Sequence, residues 1–588
     1  SLPFVQFLLR TVLVLLGTAA VIVFVHYAAV FEISLESTSP SIGRRSFRHL
    51  SFLGVIALIA IIFRFQLQKY TLLYTQTDTC SGPGYVEVHA LIPALTFMQI
   101  LTGVFVIWLI VNGVVYIRPA NVYFFIGFTF VWLFATKLYP ATFHSLVVKP
   151  NEYERESLFI EHSINFTRMS YGLDTIQEIP WEGDRQLTHS IVSEQGGTLG
   201  NILLWDGVSM REVLQQKQRI RSYYDLSEVD VDRYEVDGTL RPVIVSVREL
   251  DASLLPEEAR VWTNMRLQYT HGYGMCIAYA NRSTENGLPE FLISNIPPQC
   301  HPEFFVAEPR IYFGERTAAY ALVKTKLDEF DYPGDIDNFF TQYYADSGIP
   351  VSGFFSRLLL ALYTGDKEIV FTKQLKDDSR ILLYRHIRQR LLRIAPFLSF
   401  DDDPYPILSG GKIFWVVDGY TLTDRFPYAE SIGRTNYLRN PVKAVVDAYD
   451  GSVTLYVIDE SEPILKVWRE AFPGIFKKSD EMPEDIRKHI RYPKDLFRVQ
   501  TVVYRRYHVT DPQVFFNRED VWTFPRDSDA SHDAFESPRY LVMELPDSGR
   551  GQEFILARSF TVEGKDNMIA WIAGGCDGDR YGKLTVYR

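Results

Sequence analysis

The chain has 588 residues, 47% of them hydrophobic and 14% aromatic, with four cysteines and a formal net charge of −11. This composition excludes a disordered, collagen-like or disulfide-scaffolded chain, and a pI near 5.7 excludes a basic, nucleic-acid-binding protein. The mean hydropathy of −0.03 averages two unlike materials. Residues 1–150 carry nine Lys/Arg against four Asp/Glu, and the rest of the chain carries 51 against 67.

The first predicted element is a span over residues 11–31, uncharged and long enough to cross a hydrocarbon core of about 30 Å. Residues 50–63 form a shorter apolar run. It reaches spanning length, to about residue 70, if Arg64 and Lys69 extend their charged heads to the interface. Residues 88–117 are uncharged and allow a tilted or Pro93-kinked span, and residues 119–137 supply a fourth that closes on Lys137. Helices of a soluble core are the alternative, but four such runs within the first 150 residues are hard to bury in anything but lipid. The first run lacks a small-residue cleavage site and is followed by further spans, so it does not read as a signal peptide. The opening Ser1-Leu2-Pro3-Phe4 implies residues upstream, further spans among them.

Lys/Arg counts near the span ends are almost balanced. The compact cluster Arg44, Arg45 and Arg48 favours a cytoplasmic loop there, which places the acidic remainder outside. No Asp or Glu lies within the four runs, and ionisable groups are confined to His26, His89 and Arg64. Coupled transport requires a site that changes charge, so a transporter needs its site in upstream spans.

After Pro150 the texture is that of a large α+β soluble domain, read in two parts, 149–345 and 346–588. Strand character marks residues 242–249, 310–313, 412–418, 452–458 and 498–504, with turns at Gly410-Gly411 and Asp450-Gly451. Helical periodicity marks residues 210–224, 380–394 and 463–472. The fold class is therefore a multi-span α-helical membrane region followed by this α+β domain.

Cys276 and Cys300 could form a disulfide if the domain faces an oxidising space, the alternative being buried free thiols. No CxxC pair, P-loop, GxSxG or HExxH occurs. Asp401, Asp402 and Asp403 are the densest carboxylate cluster and could chelate calcium, or form a solvated turn before Pro404. Asp577 and Asp579 resemble half a calcium loop without its closing Glu. Calcium is the one cofactor suggested. Aromatics beside carboxylates, at Trp415, Asp418 and Tyr420 and at Glu519, Asp520 and Trp522, suggest paired-acid sugar chemistry or an ordinary aromatic core. The five arginines of residues 380–393 could meet lipid phosphates or make ion pairs with acidic neighbours.

Many words of the chain resemble one family. They are VKPNEYERE at 148–156, EHSI at 161–164, Thr167-Arg168, YGLD at 171–174, YTHGYG at 269–274, PRIYFGE at 309–315, EFDYP at 329–333, APFL at 395–398, DPY at 403–405, VDAYDG at 446–451, HIRYPKDLF at 489–497 and NMIAW at 567–571. In this order they resemble uncharacterised protein family 0182, large bacterial multi-pass membrane proteins. The stretch 78–87 departs from it, with Cys80 and Tyr85-Val86-Glu87 where the family tends to a Tyr-Thr-Asp-like word. The resemblance implies further spans upstream, a family segment beyond residue 588 and a large extracytoplasmic domain. It implies no reaction, cofactor or catalytic residue.

The expectation is an integral protein of the cell membrane with an outward-facing acidic domain, acting as a scaffold. Its partners would be the lipid bilayer, other membrane proteins or envelope polymers, without nucleic acid. The alternatives are an extracytoplasmic carbohydrate- or lipid-active enzyme with paired carboxylates, and a transporter.

Overall fold

A computed structural model describes residues 2–30, 33–34, 41–77, 79–114, 120–181, 183, 188–226, 228–317, 319–334, 336–526, 535–546, 549, 551–565 and 567–588. Two compact units emerge. The first comprises residues 1–170, 423–437 and 506–521, and the second 171–422, 438–505 and 522–588.

In the first unit three helices are long and apolar enough to cross a membrane: Pro3–Ala29, Arg44–Tyr74 and Glu87–Asn112. They begin earlier than the apolar runs alone indicated, because flanking residues such as Arg44 and Arg45 continue the helix beyond its apolar part. Leu58, Phe105 and Leu109 pack the second helix against the third. Lys69 does not simply reach outward: its ammonium donates to Thr96 Oγ1 at 2.7 Å and Gln99 Oε1 at 2.6 Å.

The fourth apolar run forms the helix Ala120–Leu133 and continues through the π-helical turn Phe134–Leu138, the helix Tyr139–Phe143 and a second π-helical turn, His144–Val148. The expected end of the third span (115–117) and start of the fourth (119) lie outside the described residues. A third π-helical turn, Glu87–Leu91, precedes the helix Ile92–Val114. Each of these turns lies just before a proline: Pro93, Pro140 or Pro150. The ring lacks an N–H and clashes with the carbonyl four residues back, which falls inside the π-helical turn each time.

The second unit is a layered α+β structure. One five-stranded antiparallel sheet runs in the order Gln299–Cys300, Pro289–Ser294, Met275–Ser283, Thr239–Val247, Asp230–Val236. A six-stranded sheet is built on the long strands Lys412–Thr423 and Tyr437–Asp447. Their facing sides bury Val243, Val245, Val247, Met275 and Ile277 against Trp415, Val417, Val442, Ala444 and Val446. Alternation along each strand sends the next residues the other way. Ile244, Cys276 and Ala278 thus meet Met210 and Leu214 of the helix Gly207–Lys217, while Val416 and Val445 meet Met482, Ile486 and Ile490. A second six-stranded sheet centres on Gln552–Val562 and Met568–Gly575. The division expected at 345/346 falls between the strands Phe339–Thr341 and Ile349–Pro350 of this unit.

Both glycine turns close hairpins, Ser409 pairing with Lys412 and Val446 with Val453. Two expectations are corrected. Residues 498–504, read as a strand, lie in the helix Lys494–Tyr507. Leu496, Phe497, Gln500, Thr501, Val503, Tyr504 and Tyr507 are its buried residues, and this helical spacing overrides the β-branched composition. Residues 380–394, read as one helix, split into a strand Arg380–Leu382, paired with Ala321–Val323 and Ile349–Pro350, and a helix Ile387–Ile394.

Candidate functional site

Three separated words of the sequence meet in one buried polar node of the second unit. His271 precedes the short strand Gly272–Tyr273, which pairs with Arg310–Ile311. The strand Glu329–Tyr332 supplies Glu329 and Asp331. Only glycine fits at 272, where a Cβ would lie 2.2 Å from the carbonyl oxygen of Arg248.

Arg310 donates from Nε and Nη2 to the two oxygens of Asp331 at 2.8 and 2.9 Å, and from Nη1 to Glu308 at 3.1 Å. His271 Nε2 lies 3.4 Å from Asp331 Oδ1, and Nδ1 lies 2.9 Å from Thr270 Oγ1 and 3.7 Å from Glu329 Oε2. Glu329 further accepts from the Tyr312 hydroxyl at 2.8 Å and the Tyr343 backbone N–H at 3.1 Å. Arg385 donates to the carbonyls of Tyr312 at 2.7 Å and Ala319 at 3.2 Å.

Burial disfavours the imidazolium of His271, but Asp331 and Glu329 outweigh it and raise the pKa. Asp331 is likewise lowered against its burial by His271 and Arg310. With 1% exposure and both ring nitrogens engaged, His271 has no edge to offer a substrate. The node closes its charges internally and works as a latch between separated strands.

A second node joins Asp230 and Asp232, two residues apart and so on one face of their strand, to the word at 489–497. Arg491 Nη1 contacts Asp230 at 2.8 Å, His489 Nδ1 contacts Asp232 at 3.0 Å, and the Arg491 guanidinium lies 4.0 Å from the centre of the Tyr405 ring. Burial, with Asp403 and Asp232 nearby, pushes Asp230 up to about 7 despite Arg491. Against its own burial, Asp232 is pulled down to about 2 by His489 and Arg491. The sequence puts neither node forward as a site, although Asp230 and Asp232 resemble part of a calcium loop of the wrong spacing. The two-residue spacing of Asp230 and Asp232 on a strand was the available signal for the second.

Apart from exposed Asp403, the carboxylates that the sequence puts forward are bound to partners in the fold. Asp401 accepts from the Tyr420 hydroxyl and from the Asp403 N–H, Asp402 pairs with Arg388 at 2.6 Å, and Asp418 pairs with buried Lys443. Asp577 accepts from Arg233 at 2.7 Å and from the Phe554 N–H at 2.6 Å, and Asp579 lies in the turn Gly578–Arg580. In the first unit Asp520 lies 3.3 Å from His508, and Glu519 accepts from Asn517 at 3.0 Å. Among the described residues no group of three or more His, Cys, Asp or Glu side chains could hold a metal ion. Asp401–Asp403 and Asp577–Asp579, the residues expected to chelate calcium, are not gathered into such a group.

The expected disulfide is also corrected. Cys276 and Cys300 are free and sit on the first and third of three neighbouring strands, since Ile293 pairs with both Ile277 and Cys300. Two strand spacings of about 4.8 Å exceed the reach of a disulfide. The residues also pack on opposite faces, Cys276 against Ile244 and Met210 and Cys300 against the inter-sheet core. Arginines of the run 380–393 serve the fold: Arg390 donates to Gly451 O at 2.6 Å and Arg380 to Gly348 O at 3.0 Å.

The outstanding surface feature of this unit is the helix Phe354–Thr364. Gly353, at φ +83°, precedes it, and Gly365, left-handed at φ +81°, ends it. Leu360 and Ala361 face a core with Leu322, Val351 and Ile381. The other side is apolar too: Phe355 is 78% exposed, Leu359 67% and Leu362 74%, with Phe354, Leu358 and Tyr363 beside them. The sequence reading did not single out this helix. Its period-3.6 pattern is hidden because both faces are apolar.

The model of the uncharacterised protein family UPF0182 matches residues 1–588. A UPF0182 protein of Desulforamulus reducens is 39% identical over 92% of this chain and 58% of its own length. One of Pelotomaculum thermopropionicum is 40% identical over 100% of this chain and 64% of its length, and one of Synechococcus sp. (strain JA-3-3Ab) is 37% identical over 99% and 72%. The chain thus spans about three-fifths of the first two relatives. No solved structure matches.

Proposed function

From the premise that the chain belongs to UPF0182, a family name that brings no reaction with it, we propose that it is a membrane-anchored docking protein whose sheet-rich unit binds another component of the cell envelope. The carrying observation is the helix Phe354–Thr364, whose outer face exposes six large apolar side chains. Water does not favour such a row, and contiguous exposed apolar surface marks interaction sites.

The buried latches support the same reading. Asp401, Asp418 and Asp577, which suggested acid–base or metal chemistry, are engaged with Tyr420, Lys443 and Arg233 of the sheet strands, which suits a rigid presenting scaffold. The arginine cluster at 44–48 favours an extracytoplasmic face for this unit in the cell membrane.

The test is photo-cross-linking in native membranes, with photoreactive benzoylphenylalanine in place of Leu359. A reproducible adduct to an envelope component, lipid or protein, is expected. No adduct at this position, or turnover of a glycan or lipid by the purified chain, overturns the proposal.

A further inference from the structure

Resting on this docking reading, we propose that the helix Phe354–Thr364 lies in the headgroup–acyl boundary of an anionic lipid bilayer, as an interfacial anchor additional to the apolar N-terminal helices.

The area of the row disfavours a protein partner. Eleven residues at about 1.5 Å each make a row about 16 Å long and, with side chains, about 10 Å wide. That footprint is far below the ~800 Å² per partner of a stable protein interface, so a second copy seated on this row alone would be held weakly. A bilayer asks for no complementary surface: burial of Phe and Leu side chains to a depth of about 5–10 Å suffices.

The charge around the row suits an anionic surface. The chain beyond residue 150 is strongly acidic, with 67 Asp/Glu against 51 Lys/Arg. Residues 354–393 reverse this, carrying nine Lys/Arg against Asp366, Glu368, Asp377 and Asp378. Lys367, Lys373, Lys376 and Arg393 are exposed, as are Asp377 and Asp378. Asp366 is turned inward, accepting from the Tyr320 hydroxyl at 2.5 Å and lying 3.5 Å from Arg266. The local surface is thus cationic, and it flanks an apolar row as interfacial helices require.

The side-chain types suit a membrane interface as well. Phe354, Phe355 and Tyr363 give the row aromatic character, and the Tyr363 hydroxyl is hydrogen-bonded to Tyr384, over whose ring Arg393 lies at 4.9 Å. A tyrosine at the edge of an apolar row, beside an arginine, suits the headgroup level. Nearby Phe371, 77% exposed on the adjoining helix Glu368–Phe371, extends the same surface. One such helix binds weakly when free in solution, but spanning helices tether the chain and raise the effective concentration of membrane around it.

The experiment reconstitutes the 588-residue chain in nanodiscs of phosphatidylcholine alone or with one-quarter phosphatidylglycerol. Benzoylphenylalanine replaces Phe355, Leu359 or, as a control, exposed Glu258. Irradiation is expected to give phospholipid adducts at 355 and 359 and none at 258. The anionic discs should give about fivefold more adduct, as one surface lysine's attraction would predict. Leu362→Glu should reduce the adduct at 355 severalfold while circular dichroism stays unchanged. Absence of lipid adduct at 359, or an adduct at twice the chain's mass, overturns the lipid proposal. If lipid fails here while position 359 captures an envelope protein in native membranes, the docking reading survives without the bilayer as its partner.

Discussion

Arg310 holds Asp331 by two parallel hydrogen bonds, Nε to Oδ1 at 2.8 Å and Nη2 to Oδ2 at 2.9 Å, and so joins the strand Arg310–Ile311 to the strand Glu329–Tyr332. The Asp331 side chain is 7% exposed and that of Arg310 20%. Removing one partner leaves a largely desolvated charge, a loss of about 3 kcal/mol. Asp331→Asn should lower the urea midpoint of the sheet-rich unit, followed by tryptophan fluorescence. An unchanged midpoint would show that the latch contributes nothing to stability.

The same node predicts a pH dependence. The folded pKa of His271 is raised, so its contribution is fully present below the unfolded value of about 6.5 and is lost as pH rises through the folded value. Asp331 is lowered, so its contribution is present above about 3.8 and is lost as pH falls through its folded value. The stability difference between the parent chain and His271→Gln should therefore shrink on going from pH 6 to pH 9. A difference constant across that range would contradict the assignment of the charge to His271.

Lys443 and Asp418 make the opposite case. Burial raises the carboxyl and lowers the ammonium even though each is the other's partner. Desolvation thus outweighs attraction on both sides, and the pair is not a net source of stability. Asp418→Asn or Lys443→Met alone should cost about 3 kcal/mol by stranding the other group. The double substitution Asp418→Leu with Lys443→Met should recover most of that loss. A double variant as unstable as the sum of the singles would refute this.

These nodes show which features were legible in the sequence. Three of the four expected spans, found as long apolar helices, the glycine turns and the strands around Trp415 and Leu455 were readable because one local pattern determines each. The helix over residues 498–504 was not. Val499, Val502 and Val503 carry strand propensity, and only the tertiary burial of Phe497, Gln500, Thr501 and Tyr504 selects the helix. Asp401 and Asp418 were visible as acids, yet their roles depend on Tyr420 and Lys443, which the sheet brings alongside. His271 and Asp331 are 60 residues apart in sequence, a distance no spacing rule spans.

Gly272 offers a sharper test of the latch's packing. A Cβ there would lie 2.2 Å from Arg248 O and 2.8 Å from Glu249 Cα, both backbone atoms that cannot rotate away. Gly272→Ala should push the strand Gly272–Tyr273 away from Arg248, whose carbonyl accepts from the Tyr273 N–H at 2.9 Å, and destabilise the unit by about 2–3 kcal/mol. Hydrogen exchange at the Tyr273 amide would report the displaced strand, and unaltered protection would contradict it.

The four cysteines give a prediction that depends on packing alone. Cys80, Cys276 and Cys576 are buried, and Cys300 is half-buried. Burial raises all four thiols above their ordinary value, Cys576 up to about 12. Because the thiolate is the reactive form, exposure decides the order among these weakly ionised groups. Iodoacetamide should alkylate Cys300 first in the native chain, and Cys276 only on unfolding, since its thiol lies against the Arg248 guanidinium at 3.0 Å inside the sheet. Mass spectrometry after oxidation should find no peptide linking residues 276 and 300. Such a linked peptide from folded protein would require the middle strand Pro289–Ser294 to leave the sheet, and would overturn the register on which the whole five-stranded layer is built.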